Sequence, residues 1–205
     1  TSTSLSSGTW SVGHGLSKKP DMIIQKYRSG TSRWTVWHNI LTSGQYLGLN
    51  EANGIASSGT PFNFTITDSV IGGNIDYDNG SQTVVYFVFH SVEGYSKIGS
   101  YTGNGSADGT FVYLGFRPAW ILIKKTNGTQ DWQLMDTTRD SFNLASRRFE
   151  PNNSDAENND TTYNNMDIVS NGFKIRATGG NINSSGGTYI YMAFAENPFK
   201  YANAR

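Results

Sequence analysis

No cysteine occurs in the chain, so no disulfide staples the fold and no thiolate can act as nucleophile or metal ligand. Small secreted animal domains usually carry disulfides, which argues against that class. Charge is scarce as well. Asp, Glu, Lys and Arg make up 16% of the residues and sum to zero, against about a quarter in an ordinary globular domain. Without net charge there is no long-range field to draw the chain onto nucleic acid or an anionic membrane, so neither partner is expected. No apolar run approaches the ~18 residues that a membrane span needs. The Gly-x-Ser-x-Gly elbow and the phosphate-binding loop are both missing, and with them the hydrolase and nucleotide classes they mark. No stretch keeps a helical apolar period over ten residues, so helix can contribute only a short turn, Asp140–Arg148 being the best place for one.

What is present is small, polar and aromatic. Ser, Thr, Gly and Asn account for 86 of 205 residues, and aromatics reach 13%. Many turn formers beside many ring side chains predict short strands joined by frequent turns. Disorder is excluded by the aromatic and β-branched content.

The second half of the chain echoes the first about a hundred residues on. Lys19-Pro20-Asp21-Met22-Ile23-Ile24-Gln25-Lys26 returns as Arg117-Pro118-Ala119-Trp120-Ile121-Leu122-Ile123-Lys124. Trp34-Thr35-Val36 returns as Trp132-Gln133-Leu134, and Val85-Tyr86-Phe87-Val88-Phe89 as Ile190-Tyr191-Met192-Ala193-Phe194. Phe64-Thr65-Ile66 is matched to Phe173-Lys174-Ile175. The apolar strings survive while the spacing drifts, which is the mark of a duplicated β unit whose strands pack and whose turns change length.

The expected strands of the first half are 10–12, 22–26, 35–39, 46–49, 62–67 and 83–91. Those of the second are 111–114, 120–125, 132–136, 168–169, 173–177 and 188–195. Phe62–Thr67 alternates and suits a strand with one wet face. Thr83–Phe89 is apolar almost throughout and suits a strand covered on both faces. Asn-Gly pairs at 79–80, 127–128 and 171–172 mark tight turns. Residues 1–8 read as a loose lead-in, 93–105 as a bend joining the halves and 152–165 as a long polar loop. The expected architecture is all-β, with ten to fourteen strands. It is a β-sandwich built from two similar tandem halves, about 9–100 and 101–205, forming a single domain over 9–205.

Little in the sequence points to catalysis. His14, His38 and His90 lie far apart without metal-ligand spacing. Asp76-Tyr77-Asp78-Asn79-Gly80 has oxygen donors suited to calcium but lacks the twelve-residue loop pattern, and a hairpin turn explains it. A glycosidase needs two carboxyls in one cleft. Glu51, Asp76, Asp136, Glu150 and Glu196 are the candidates, and nothing in the sequence pairs them. No metal, cofactor or catalytic residue is therefore expected. Aromatics are the better lead, because sugars present C–H faces that stack on rings while Asn and Asp bind their hydroxyls. Trp37, Tyr46, Tyr77, Tyr95, Tyr101, Tyr113 and Tyr163 lie at strand ends or turns and are the candidate binding residues. Trp34 and Trp132, repeated among apolar neighbours, are assigned to the core with Trp10 and Trp120.

Four longer strings carry a family resemblance. They are Pro20–Lys26 with Trp34–His38 and Tyr46–Asn50, then Gly94–Gly105, Gly115–Lys124 and Tyr189–Phe199. Together they resemble a duplicated β domain found in tail-fibre and other structural proteins of marine tailed bacteriophages, cyanophages included. The resemblance runs from about residue 9 to the end of the sequence. It implies a non-enzymatic virion protein, a tail-fibre or receptor-binding appendage module. Such a module would assemble with copies of itself, as a homotrimer in fibres, and with other virion proteins, and would present loops to host-surface glycan. A glycan-depolymerising tail spike and a capsid or collar decoration protein are the alternatives.

Overall fold

The computed structural model describes residues 2–5, 8–57, 64–75, 82–159 and 163–198. Strands account for 47% and helix for 2%, so the all-β reading holds. The chain divides into two compact units, one comprising 1–51 with 55–90 and the other 52–54 with 91–205. Among the described residues no helix is long and apolar enough to cross a membrane.

The first unit contains β1 (Ser2–Leu5), β2 (Gly8–Gly13), β3 (Met22–Tyr27), β4 (Thr35–His38), β5 (Gln45–Gly48), β6 (Ala56–Ser57), β7 (Phe64–Ile66), β8 (Val70–Ile75) and β9 (Gln82–Phe89). They form a main sheet ordered β1-β9-β3-β4-β5-β6 and a smaller sheet ordered β2-β8-β7. Strand periodicity sends alternate side chains inward. Ile23 and Tyr27 from β3 and Val84 and Tyr86 from β9 meet Ile71 from β8, with Trp10, Val12 and Ile66 packed around them. Two facing sheets thus enclose one core, which is a sandwich.

The second unit contains β10 (Ser96–Thr102), β11 (Phe111–Tyr113), β12 (Pro118–Lys125), β13 (Gln133–Asp136), β14 (Arg147–Arg148), β15 (Asn158–Asn159), β16 (Met166–Val169), β17 (Gly172–Ile175) and β18 (Thr188–Ala195). One helical turn, α1 (Gly180–Asn183), precedes β18. The main sheet runs β10-β18-β12-β13 and the smaller one β11-β17-β16. Ile121, Ile123, Tyr101, Tyr189 and Tyr191 from the first close on Val112, Met166, Ile168, Phe173 and Ile175 from the second. Each half therefore builds its own sandwich around its own core.

The duplication extends to every strand, β1 to β9 returning as β10 to β18. Met22 lies opposite His38 and Phe89, as Trp120 lies opposite Asp136 and Phe194. Thr3 faces Val84, as Tyr101 faces Tyr189. Gln45 faces Ser57, as Arg147 faces Asn159. One of the sequence matches needs correction. Ile66 faces Ile71 as Ile168 faces Phe173, so the mates of Phe64–Ile66 are Met166–Ile168. Phe173 replaces Ile71 instead. The three-residue string Phe-x-Ile was too short to carry its own register.

Other expectations also change. Residues 2–5, read as lead-in, pair with β9 because they are the counterpart of β10. Residues 96–102, read as part of a bend, are that strand, so a repeat boundary at 100/101 would cut through β10. The segment 140–148 is not helical, and the single helical turn lies at 180–183. Trp132 is 1% exposed and core, but Trp34 is 37% exposed and stacks on Phe87. Phe87 is itself 44% exposed, so β9 has one open face where the sequence predicts two covered ones.

Polar devices repeat with the strands. Trp34 N–H donates to Asn50 Oδ1 and Trp132 N–H to Asn152 Oδ1, both at 2.8 Å. Lys26 Nζ donates to Ser32 O, and Lys124 Nζ to Gln130 O, closing the β3–β4 and β12–β13 turns. Replacing Asn152 with Ala strands the Trp132 N–H beside a buried ring. The expected cost is about 1–2 kcal/mol by chemical denaturation, with a similar or smaller loss for Asn50→Ala, where water can substitute.

Candidate binding surface

The predicted binding residues stand in different surroundings. Tyr101 is in the core of the second unit, its hydroxyl donating to Ile182 O at 2.8 Å and its ring stacked on Tyr189 at 5.0 Å. It cannot meet a ligand, and its place in a Tyr-Thr-Gly turn signal misled because the strand runs through it. Tyr46 is buried in β5, with the Arg33 guanidinium over its ring and bonded to its hydroxyl. Trp37 packs against the core of the first unit. Tyr95 is exposed and meets Phe194 edge-on at 5.7 Å. Tyr163 is exposed and lies so close over Gly179 that no side chain fits there. Tyr77 lies outside the described residues, as does the 76–80 turn.

His14, His38 and the described acid candidates make structural contacts. His14 Nδ1 accepts from Leu16 N–H, its Nε2 lies 3.1 Å from Thr67 O, and buried His38 accepts from Ile40 N–H. Among the described residues no three His, Asp or Glu side chains gather as a metal site. Glu51 lies 3.6 Å from Arg33, Glu196 2.9 Å from Arg117 and Glu150 2.9 Å from Arg148. Burial pushes the Glu150 carboxyl up, but hydrogen bonds from Asn153, Arg148 and Gln133 outweigh it and hold the group below its usual range. Burial likewise raises Asp136, and bonds from Arg139 and Thr138 more than reverse it. A general acid needs the opposite shift. At the start of the 152–165 loop, Asn152 bonds Asp131 and the Trp132 N–H, and Asn153 bonds Glu150.

One face does collect aromatic residues. In β11, Val112 points into the core, so Phe111 and Tyr113 point out. Tyr113 is 61% exposed. The register sets Tyr113 opposite Gly172, which faces Val169, and Phe111 opposite Lys174, which faces Asp167. At the far edge the Asn143 amide bonds both the N–H and the carbonyl of Ile168, standing in for a strand partner. The exposed Phe142 and Leu144 flank it. Beside the rings runs a chain of ion pairs. Lys174 Nζ lies 2.7 Å from Asp108, which also faces Arg176 at 3.8 Å, and Arg176 Nε lies 2.7 Å from Asp167. The Lys174 hydrogen bond and charge hold the Asp108 carboxyl below its ordinary value. Gly172 leaves a low floor between Tyr113 and Val169. Its missing side chain is required, since a Cβ would lie 2.1 Å from Val112 O.

Of this surface the sequence pointed only to Tyr113. Phe111 was readable from the repeat, because the mates of Phe111 and Tyr113 are Ser11 and Gly13. The shared fold does not require rings at these outward positions, since the other half has none there. The first unit has instead an open groove of about 410 Å³ lined by Thr9, Trp10, Ser11, Thr65, Val70, Gly72 and Gly73.

The described family of domain of unknown function DUF7483 matches residues 1–198. The chain belongs to that family. No curated protein and no solved structure matches this DUF7483 chain.

Proposed function

We propose that the chain is a non-enzymatic module of a virion appendage, a tail-fibre or receptor-binding segment that attaches to host-surface glycan. The observation that carries the reading is the outward pair Phe111 and Tyr113 beside Gly172 and the Lys174–Asp108–Arg176 ion pairs. Rings stack on sugar C–H faces, and the neighbouring charged groups supply hydrogen bonds to hydroxyls. The likeness of the repeated strings to phage fibre domains supports the virion setting. Each such contact is weak. A homotrimer would raise the overall strength by presenting several sites on one particle.

The test is a glycan array probed with the wild type and with Phe111→Ser and Tyr113→Gly, changes that copy the first half. Each substitution is expected to weaken binding about tenfold, the worth of one stacked ring, with an unchanged circular dichroism spectrum. An intact oligomer that binds nothing on a broad array overturns the reading.

A further inference from the structure

The two halves differ at one face in a way that their shared fold does not explain. The outer side of the second unit's main sheet is closed. Met192, Ile190, Trp132 and Lys124 are all 5% exposed or less. Residues 52–54 lie along the Lys124–Gln130 turn: Ala52 O accepts from Lys124 Nζ at 2.7 Å and from Gln130 N–H at 2.9 Å. Gly54 sits so close to Thr126 and Gly128 that a Cβ would lie 2.6 Å from Thr126 O.

Their mates in the first unit are Phe87, Val85, Trp34 and Lys26, and this end of the face is open, although Met22, Ile24, Val36 and His38 on the same side are buried. Phe87 and Trp34 stack on each other at 6.4 Å in the exposed state described above. Val85 and Lys26 are half-buried, and Ser29–Ser32 is exposed. Lys26 Nζ has Ser32 O, as Lys124 has Gln130 O, but among the described residues it has no counterpart of Ala52. No hydrogen bond to Ser32 N–H is found among the described residues. The residues that would supply the missing strap exist. The shared register of β5-β6 and β14-β15 makes Ser154–Ala156 the mate of Ala52–Gly54. All three are exposed, and Asp155 N–H bonds only back to Asn153.

We infer that the open end of this face, formed by Trp34, Phe87 and the Lys26–Ser32 turn, is the docking site for residues 154–156 of a second copy of this chain. Ser154 O would take the Lys26 ammonium and the Ser32 N–H, as Ala52 O takes Lys124 and Gln130. Asp155 would bring a negative charge to the turn that carries exposed Arg28. One position departs from the intrachain seat. Ala156 replaces Gly54, and its methyl forbids the same close approach, so the two chains separate after residue 155. Such a contact joins unlike surfaces, so it runs head to tail and yields a closed ring or an open filament. The inference gives a surface to the oligomeric part of the proposed function and does not depend on glycan binding.

Because the chain has no cysteine, an engineered pair reports the contact directly. Ala52→Cys with Gln130→Cys should form an intrachain disulfide, since their backbones are hydrogen-bonded neighbours. Ser32→Cys with Ser154→Cys should instead link copies into a ladder on a non-reducing gel. Light scattering should show an oligomer for the wild type, and Trp34→Glu with Phe87→Glu should weaken association about tenfold or more, as loss of a buried aromatic anchor does. The two rings stack and are each more than half buried, so an unchanged far-ultraviolet dichroism spectrum must accompany the loss of association. A wild type that is monomeric at tens of micromolar, an oligomer indifferent to the double change, or an absent ladder beside a formed control disulfide each overturns the inference. A monomer that still binds glycan through Tyr113 overturns it while leaving the attachment reading intact.

Discussion

Raising the pH above about 10 is expected to unfold the second unit in a single step that coincides with ionisation of its buried tyrosines. Tyr101, Tyr189 and Tyr191 share its core. Burial pushes each phenol up. Tyr101 rises well above the usual value with help from neighbouring Tyr189, and Tyr191 is raised to about 12. A group whose folded pKa is raised contributes stability that is intact below its unfolded value, about 10 for tyrosine, and is lost as pH climbs through the folded value. Each such tyrosine removes up to about 1.4 kcal/mol per pH unit across that window. Three together steepen the loss to as much as about 4 kcal/mol per unit just above pH 10, against a typical stability of about 5–15 kcal/mol. Tyr86 adds the same effect in the first unit, raised mainly by burial and then by Tyr27.

Lys124 works in the opposite direction just below this window. Burial lowers its ammonium to about 8, against a smaller raising effect from Asp131. Between about pH 8 and 10.5 the unfolded chain binds the extra proton, so stability rises with pH there. The melting temperature should climb from pH 8 toward 10 and then collapse, and Lys124→Met should flatten the climb. Tyrosinate absorbance and far-ultraviolet dichroism followed together decide the matter. Smooth ionisation of all tyrosines with the strands intact would contradict the burial on which both limbs depend.

How far the sequence could be read follows from what each signal measures. Alternation and turn chemistry report local geometry, and they placed β3, β4, β9, β12, β13 and β18 within a residue or two. The duplicated strings did more, because two copies of one pattern average out loop noise, and they implied the sandwich. Where the signal was composition alone, it failed. Residues 2–5 are Ser- and Thr-rich like a linker, yet they occupy the edge that β10 occupies in the other half. Only the pairing partner distinguishes a polar edge strand from a lead-in, and a partner is not a local property.

Aromatic roles were legible only in part for a related reason. Tyr101 and Tyr113 both sit near Gly and Thr in turn-like surroundings. One is buried and the other exposed because their strands present opposite parities to the core. Parity needs the register, which the sequence supplies only by comparing halves. Trp34 was assigned to the core from its mate Trp132, and its inward-or-outward position is indeed shared. The difference is what covers that face, which no single chain's pattern encodes.

Substituting Asn183 with Ala is expected to be the most damaging single polar change in the second unit. Asn183 is fully buried at the end of α1. Its Nδ2 donates to Ala177 O at 2.7 Å, Ser106 O at 2.9 Å and Asn104 Oδ1 at 3.1 Å, and its Oδ1 accepts from Asn104 N–H at 3.0 Å. One amide thus ties the exposed Asn104 and Ser106 to Ala177, whose bond to it is buried. Alanine leaves the Ala177 carbonyl unpaired, at about 1–3 kcal/mol, while water can replace the amide at Asn104 and Ser106. With the lost packing the expected total is about 2–3 kcal/mol, a fall of several degrees in melting temperature. Asn183→Asp keeps the shape but loses both donor hydrogens and buries a carboxylate. Its folded pKa should be raised, so the variant should be most stable below about pH 4 and weaken as pH rises through that value. The consequence reaches the binding face, because the 103–109 loop leads directly into β11 and Lys174 Nζ anchors on Gly109 O. At a temperature where Asn183→Ala stays folded, hydrogen exchange should therefore quicken at residues 103–113 and spare β12 and β18. Uniform quickening across the unit would show that the amide holds the whole sandwich and not the loop that carries Phe111 and Tyr113.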